Sequence, residues 1–281
     1  MVKFEISGTG WRPDVPDSRD YTPKIPQIKL LLAPLSVDEN PSRVSRVDLR
    51  EYFPEADHQQ RINCSCAHAC ISLVEYFQRL RYGHTTRLSR LFLYKTTRRL
   101  LGVTGNVSTD LRSTLHAIKS FGLPPERHWP YDDSTIDHEP DAFLYSFKEP
   151  YKSLSYVRLD AVDKRGKNTL KTVKAFLAAG IPVVFGFSVP SSISKSGDIP
   201  YRPRFDGVHG GQSVVAVGYD DDRSRESKGS LLIRNSWGRS WGEDGYGWLP
   251  YAYVTKLLAA DCWTILNPEW LATGGFTSPI L

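Results

Sequence analysis

The chain has 281 residues, 40% hydrophobic and 24% charged, an ordinary globular composition that can bury one large core or two lobes. Lys and Arg number 36 against 31 Asp and Glu, a net charge of +5, and Arg79, Arg81, Arg87, Arg90, Arg98 and Arg99 are spread over predicted helices, which excludes a nucleic-acid footprint. No segment approaches about 18 uninterrupted apolar residues, so no membrane-spanning helix is expected, and residues 1–10, with Lys3 and Glu5, lack the apolar run of a secretory signal.

Residues 1–45 are rich in Pro, Asp and Ser, and the piece from Gly10 to Tyr21 carries Pro13 and Pro16, which forbid a helix. It reads as an extended arm laid over a body formed by residues 46–281. Within residues 66–160 helices dominate. Ile71, Val74, Phe77 and Leu80 recur at helical spacing and Gly83 is a stop. A second periodic run, 88–101, ends at Gly102. Ser108 or Thr109 is placed to cap a third helix ending near Gly122, with Leu111, Leu115 and Ile118 as its buried stripe. Pro124-Pro125 and Trp129-Pro130-Tyr131 make a rigid connection, and Asn168 is placed to cap a helix running through Ala179 to the stop at Gly180. From 181 onward strands are predicted at 182–188, 213–219, 230–234, 246–249 and 262–266, with a polar hairpin loop at 220–227. The body therefore divides into a helical lobe, about 46–160, and a strand-rich lobe, about 161–281.

Four cysteines occur, and Cys64, Cys66 and Cys70 crowd into one heptad away from Cys262, a poor disulfide framework that points to a reducing, cytoplasmic compartment. Cys64, Cys66, His68 and Cys70 also have the look of a soft metal set. On a continuous helix, however, Cys66 and Cys70 share a face while His68 points away from both, so no metal or other cofactor is expected.

Four segments carry the chemistry. Gln60-Arg61-Ile62-Asn63-Cys64-Ser65-Cys66-Ala67 places a Gln six residues before a Ser-Cys pair at a helix start. Gly210-Gly211-Gln212-Ser213 opens an apolar strand that ends in Gly218-Tyr219. Arg234-Asn235-Ser236-Trp237-Gly238 follows, and then Trp241-Gly242-x-x-Gly245-Tyr246. Together they resemble the papain-like cysteine peptidases over roughly residues 45–266. The stretch 10–21 is similar to the leader of bacterial members. The resemblance implies an α+β, two-lobe papain-like fold with a helical N-terminal lobe, an antiparallel β-barrel-like C-terminal lobe and a cleft between them. It makes Cys66 the nucleophile, activated by the helix N-terminus, and Gln60 an oxyanion donor beside the Cys66 N–H. It makes Asn235 the residue that orients the base and Trp237 the shield over that contact. Cys64, Ser65, Gly210, Gly211 and Ser213 border the cleft. Ser108 falls where the family offers a glycine backbone to an extended substrate, and its side chain narrows access.

Two departures matter most. Cys64 replaces the glycine of the nucleophile segment, and Gln212 stands where the family has its catalytic His. An amide donates and accepts hydrogen bonds but does not titrate near neutral pH. Losing positioned acid–base catalysis costs about 10²–10⁴ in rate. His209, three residues upstream, is the candidate substitute base, although an odd slip along a strand reverses the face it presents. The expected function is a homologue with a degenerate triad of Cys66, Gln212 and Asn235. It holds a peptide or protein segment in its cleft with little or no proteolysis. Its alternatives are an active peptidase that uses His209 or another base and an acyl or peptidyl transferase that forms a thioester on Cys66. The arm is either a surface strap or a segment that crosses the cleft as papain-family prosegments do.

Overall fold

A computed structural model describes residues 6, 8–35, 37, 44–160, 166–223 and 229–272. The arm is extended through residues 12–17 but folds after that into α1 (Pro26–Leu32), with Pro26 at the first helical position, where its missing N–H costs nothing. The central helix is α2 (Ser65–Tyr82). Residues 65–77 are all buried, not only the predicted stripe, because α3, α4, strand β4 and the arm cover it from several sides. Gly83 ends it in the left-handed region at φ 75, its N–H returning to the Arg79 carbonyl. Next come α3 (Arg90–Leu100), capped by Ser89, and α4 (Leu111–Phe121). The cap of α4 is Asp110, whose carboxylate accepts the Ser113 N–H at 2.8 Å, rather than Ser108 or Thr109. Thr109 is held in an extended pairing described below. Helix α5 (Gly166–Ala178) begins two residues before Asn168, so that residue lies inside the helix. Short helices α6 (Tyr251–Thr255) and α7 (Pro268–Leu271) complete the set.

Seven strands form one antiparallel sheet. They are β1 (Arg46–Asp48), β2 (Ser155–Arg158), β3 (Val183–Pro190), β4 (Val208–Asp220), β5 (Ser230–Arg234), β6 (Tyr246–Pro250) and β7 (Ala259–Leu266). The order is β2-β7-β3-β4-β5-β6, with β1 added to the last residues of β4. The sheet is open, β2 and β6 being its ends, so the barrel-like expectation becomes an open sheet. Strand β1 precedes the stretch 66–160 expected to be helical, within the same lobe, and β2 comes from that stretch. At three and four residues they are too short to show a period of two. Strand β4 starts five residues before the expected 213, because Gly211 and Gly210 pair with Ser188 and Val189 of β3. The polar loop expected at 220–227 lies outside the described residues from 224 onward.

Helix α2 is fixed to α3 by a buried ion cluster. Glu75, 1% exposed, takes both guanidinium nitrogens of Arg90 at 2.8 Å, and Asp57 adds a third contact at 2.5 Å. Strand β5 is tied to α2 by Arg234, which reaches Ser72 and the carbonyls of Pro54 and Glu55. These contacts set where the N-terminus of α2 meets β4. Removing one partner of a buried pair leaves the other charge uncompensated. Glu75→Ala is therefore expected to lower unfolding free energy by about 3–5 kcal/mol in urea denaturation, whereas Arg239→Ala, whose two ion pairs are exposed, changes it by less than about 1 kcal/mol.

Candidate functional site

Strand β5 pairs only with the second half of β4, from residue 215 onward. Before that point, among the described residues, one edge of β4 has no strand of the sheet beside it, and its backbone groups need other partners. The Ser213 N–H donates to the Ser65 hydroxyl at the head of α2, 3.1 Å away. The Gly211 carbonyl, which points to the same side two residues earlier, accepts the N–H groups of Gly10 and Trp11 at 3.0 and 2.9 Å. Between them the Gln212 side chain turns inward and is fully buried. Its Nε2 donates to Asn235 Oδ1 at 2.8 Å, Gln59 Oε1 at 2.9 Å and Ser236 Oγ at 3.2 Å. Ser236 Oγ donates in turn to Gln59 Oε1 at 2.6 Å.

Gln212 and Asn235 are thus brought together as the sequence implied, but the glutamine that meets them is Gln59. Gln60 is exposed, with φ 53, and its backbone N–H goes to His58 Nδ1. The residue six positions after Gln59 is Ser65, which is the one that touches β4 beside Gln212. Cys66 lies one residue further on, fully buried, with its Sγ directed at the carbonyls of Thr109 (3.4 Å) and Gly10 (3.7 Å). Burial pushes the Cys66 thiol well above its ordinary value, and the neighbouring Cys70, Asp110 and Asp14 add to the shift. This reverses the expected activation. A helix N-terminus offers about 0.3–1 kcal/mol, while full burial moves a pKa by up to about 3–5 units, or about 4–7 kcal/mol. Cys64 is buried too and pushed up to about 12 by burial; its Sγ is 3.1 Å from the Tyr131 hydroxyl, which donates to the Gln59 carbonyl.

The remaining candidates fall as follows. His209 is exposed near the start of β4, where the pairing with β3 shifts register between Gly210 and Val208, while Gln212 is fully buried. His68 is buried and held neutral, its pKa lowered to about 3 by burial and by Arg90. It lines a polar cavity of about 10 Å³ with Asp57, Arg234, Asn235 and Ser236, below the Gln212–Asn235 contact. Trp237 is buried edge-on to Trp241, and its indole N–H donates to the Gly8 carbonyl at 3.0 Å. Among the described residues no group of three or more His, Cys, Asp or Glu is placed to hold a metal ion.

The arm occupies the cleft. Gly10 and Trp11 bond to Gly211 on one side. On the other, the Thr109 N–H donates to the Gly10 carbonyl and the Arg12 N–H donates to the Thr109 carbonyl, both at 2.9 Å, a parallel bridge. Thr109, not Ser108, is the residue that offers its backbone to an extended strand; Ser108 is half-buried beside it. The Trp11 indole is buried against Gly186 and Gly211. A Cβ at Gly186 would sit 1.9 Å from the ring, so only glycine admits it. Its N–H donates to Asp261 Oδ2 at 3.2 Å. Gln59 Nε2, not the Gln60 amide expected as an oxyanion donor, faces this cleft and donates to the Thr9 carbonyl at 2.5 Å. Sequence reading missed Gln59, Thr109, Trp11 and Asp261. The available signal was the doublet Gln59-Gln60, which satisfies the six-residue spacing in two registers.

A family profile described as papain family cysteine protease matches residues 44–256. Xylellain, a cysteine protease from Xylella fastidiosa, is similar with a TM-score of 0.75 at 32% identity, over 93% of this chain and 96% of that one. An uncharacterized peptidase C1-like protein of Acanthamoeba polyphaga mimivirus is 28% identical over 271 residues, which is 91% of this chain and 86% of its own length. A cysteine protease of Carica candamarcensis shares the fold, with a TM-score of 0.59 at 19% identity over 80% of this chain and 99% of that one.

Burial of all four thiols has a direct consequence. The native protein is expected to resist iodoacetamide at mildly acidic pH, and to release four reactive thiols only on unfolding. Mass spectrometry that found Cys66 rapidly carboxamidomethylated in the native state would show an activated thiolate after all.

Proposed function

The chain belongs to the papain family of cysteine proteases, and we propose that it is a non-hydrolytic member whose cleft binds an extended peptide strand without cutting it. The observation that carries this reading is the group paired with Asn235. It is the Gln212 amide, which has no proton to exchange at neutral pH.

The nucleophile side supports the same reading. Taken from the position of Gln59 and the contact with β4, the nucleophile place belongs to Ser65, a hydroxyl with no base beside it. A serine needs an adjacent general base more than a cysteine does, since a thiol is a few per cent ionised unaided. The nearby sulfurs, Cys64 and Cys66, are held as thiols by burial. That weighs equally against a Cys66 thioester. What persists is the binding half of a peptidase: backbone groups of Thr109 and Gly211 that pair with a strand, and a slot that takes an indole. In the state described here the occupant is the chain's own arm. A peptide or protein segment of similar character, with a bulky aromatic residue for the Trp11 slot, is the class of partner that would replace it. We place the protein in a reducing compartment such as the cytoplasm, where four buried free thiols are stable.

The test compares quenched fluorescent peptides on full-length protein. Wild type and Cys66→Ala are both expected to show no turnover, with Trp11→Ala included to open the cleft. Adding Ser65→Cys and Gln212→His to Trp11→Ala is expected to raise hydrolysis at least about 10²-fold above background. Wild-type turnover that disappears in Ser65→Ala or Cys66→Ala would refute the reading.

A further inference from the structure

The segment that follows Trp11 is held by a buried cluster of charge with too many carboxylates. Asp14 and Asp20 come from the arm, Asp160 follows β2, and Asp261 lies on β7. Arg158 of β2 is within 3.7, 3.3, 2.9 and 2.7 Å of Asp14, Asp20, Asp160 and Asp261 respectively. Among the described residues the other cation in contact is Arg112 of α4, which grips Asp20 with two nitrogens at 2.7 and 2.5 Å and gives its backbone N–H to Asp14. Among the described residues, four carboxylates therefore face two guanidiniums. Asp110 of α4 adds another negative charge, paired with Arg12 at 3.3 Å. The remaining titratable neighbours, Cys66 and Cys70 of α2, Cys262 of β7 and Tyr156 of β2, are held neutral by burial.

Asp14 and Asp261 sit where this excess is least solvated, their side chains 0% and 3% exposed. Arg158 touches both, closely at Asp261 (2.7 Å) and only at 3.7 Å at Asp14, and backbone and indole N–H groups join the two carboxyls to the arm. Asp261 Oδ2 accepts the Asp14 N–H at 2.8 Å and the Trp11 indole at 3.2 Å, while Asp14 Oδ2 accepts the Trp263 indole at 2.8 Å. The bonds that seat the arm thus converge on two neighbouring buried carboxyls.

We propose that this pair is a proton-linked latch: the arm closes over the cleft tightly while one of the two carboxyls carries a proton, and loosens when that proton is lost on passing from mildly acidic to mildly alkaline solution. This rests on the reading of the cleft as a strand-binding site, because release of the arm is what frees Thr109 and Gly211 for a partner. The sign follows from linkage. Burial, with the Asp261 charge as second cause, raises Asp14 to about 7, and burial raises Asp261 as well. A released arm returns Asp14 to water and to an ordinary value near about 3.9. Between those values the docked state binds the extra proton, so docking is strongest in acid and is lost as pH climbs towards 7 and beyond.

Backbone hydrogen exchange reads the latch without any peptide or activity assay. The amides of Trp11, Arg12 and Asp14 are bonded to Gly211, Thr109 and Asp261. After correction for intrinsic exchange, their protection is expected to fall at least about tenfold between about pH 5 and about pH 8, while amides of β5 keep theirs. Asp14→Asn, which mimics the protonated carboxyl, is expected to hold the arm closed with protection that varies less than about threefold over that range. Asp261→Asn provides the same test from the body, should Asp14→Asn disturb folding. Asp17→Asn, an arm carboxylate paired with Arg19 outside the cluster, is expected to keep the wild-type profile. Flat protection in the wild type, or a pH dependence that survives in both Asp14→Asn and Asp261→Asn, would overturn the latch. Hydrolysis of peptides by wild type would refute the proposed function and leave this measurement standing.

Discussion

Much of this molecule depends on one stretch of bare strand edge. Strand β4 runs past the end of β5, and there, among the described residues, its outward backbone groups have no neighbouring strand of the sheet. Gly211 and Ser213, two residues apart, present a carbonyl and an N–H to the same side. One is satisfied by the arm and the other by the first residue of α2. Gln212, between them, turns its side chain into the polar cluster. Three consecutive residues thus fix the arm, the site and the central helix at once. The run from Val214 onward, buried at every position as far as Tyr219, locks their register. A slip of one residue would send each group to the wrong side.

The same geometry explains why sulfur near a helix start is not by itself a reactive centre. Cys66 has the favourable dipole that its position promises. It also has the arm and Thr109 above it, no solvent, and carboxylates nearby. Desolvation outweighs the dipole severalfold, so the thiol stays protonated. Residue 65 occupies the equivalent contact with β4, and there the chain supplies a hydroxyl.

The overall fold was legible because its signals are long. Helix α2, the run 230–234 and the segment Asn235-Ser236-Trp237-Gly238 each constrain several residues together, and each lies where it was expected. The site was legible only in part. Gln212 and Asn235 were identified by their place in β4 and just after β5. The opposite wall rested on spacing alone, and two adjacent doublets, Gln59-Gln60 and Ser65-Cys66, fit a six-residue spacing equally well. Only the fold decides between them, by turning Gln59 inward and leaving Gln60 at φ 53 in solvent. Thr109 escaped notice for a related reason: its role is carried by its backbone, which leaves no trace in residue type. Asp261 was invisible because its partners, Trp11 and Asp14, lie about 250 residues away in sequence.

Hydrogen bonding gives Gln59 and Asn235 a structural role of their own. Both are nearly or fully buried, as are Gln212 and Ser236. Each buried polar group left without a partner costs about 1–3 kcal/mol. An imidazole replaced by an apolar side chain would strand Asn235 Oδ1 and Gln59 Oε1 together. An amide does not, because one Nε2 reaches both acceptors and the Ser236 hydroxyl. The Gln212 amide therefore gathers these three oxygens on one nitrogen, while among the described residues its own Oε1 and Asn235 Nδ2 meet no partner. The wall of the cleft binds a strand through backbone groups and a glycine-lined slot, contacts that require no charged or reactive atom. The arm that fills it runs parallel to Thr109 and places the Thr9 carbonyl on the Gln59 amide. The Gln59 amide thereby anchors a neutral backbone carbonyl of the arm inside the polar cluster.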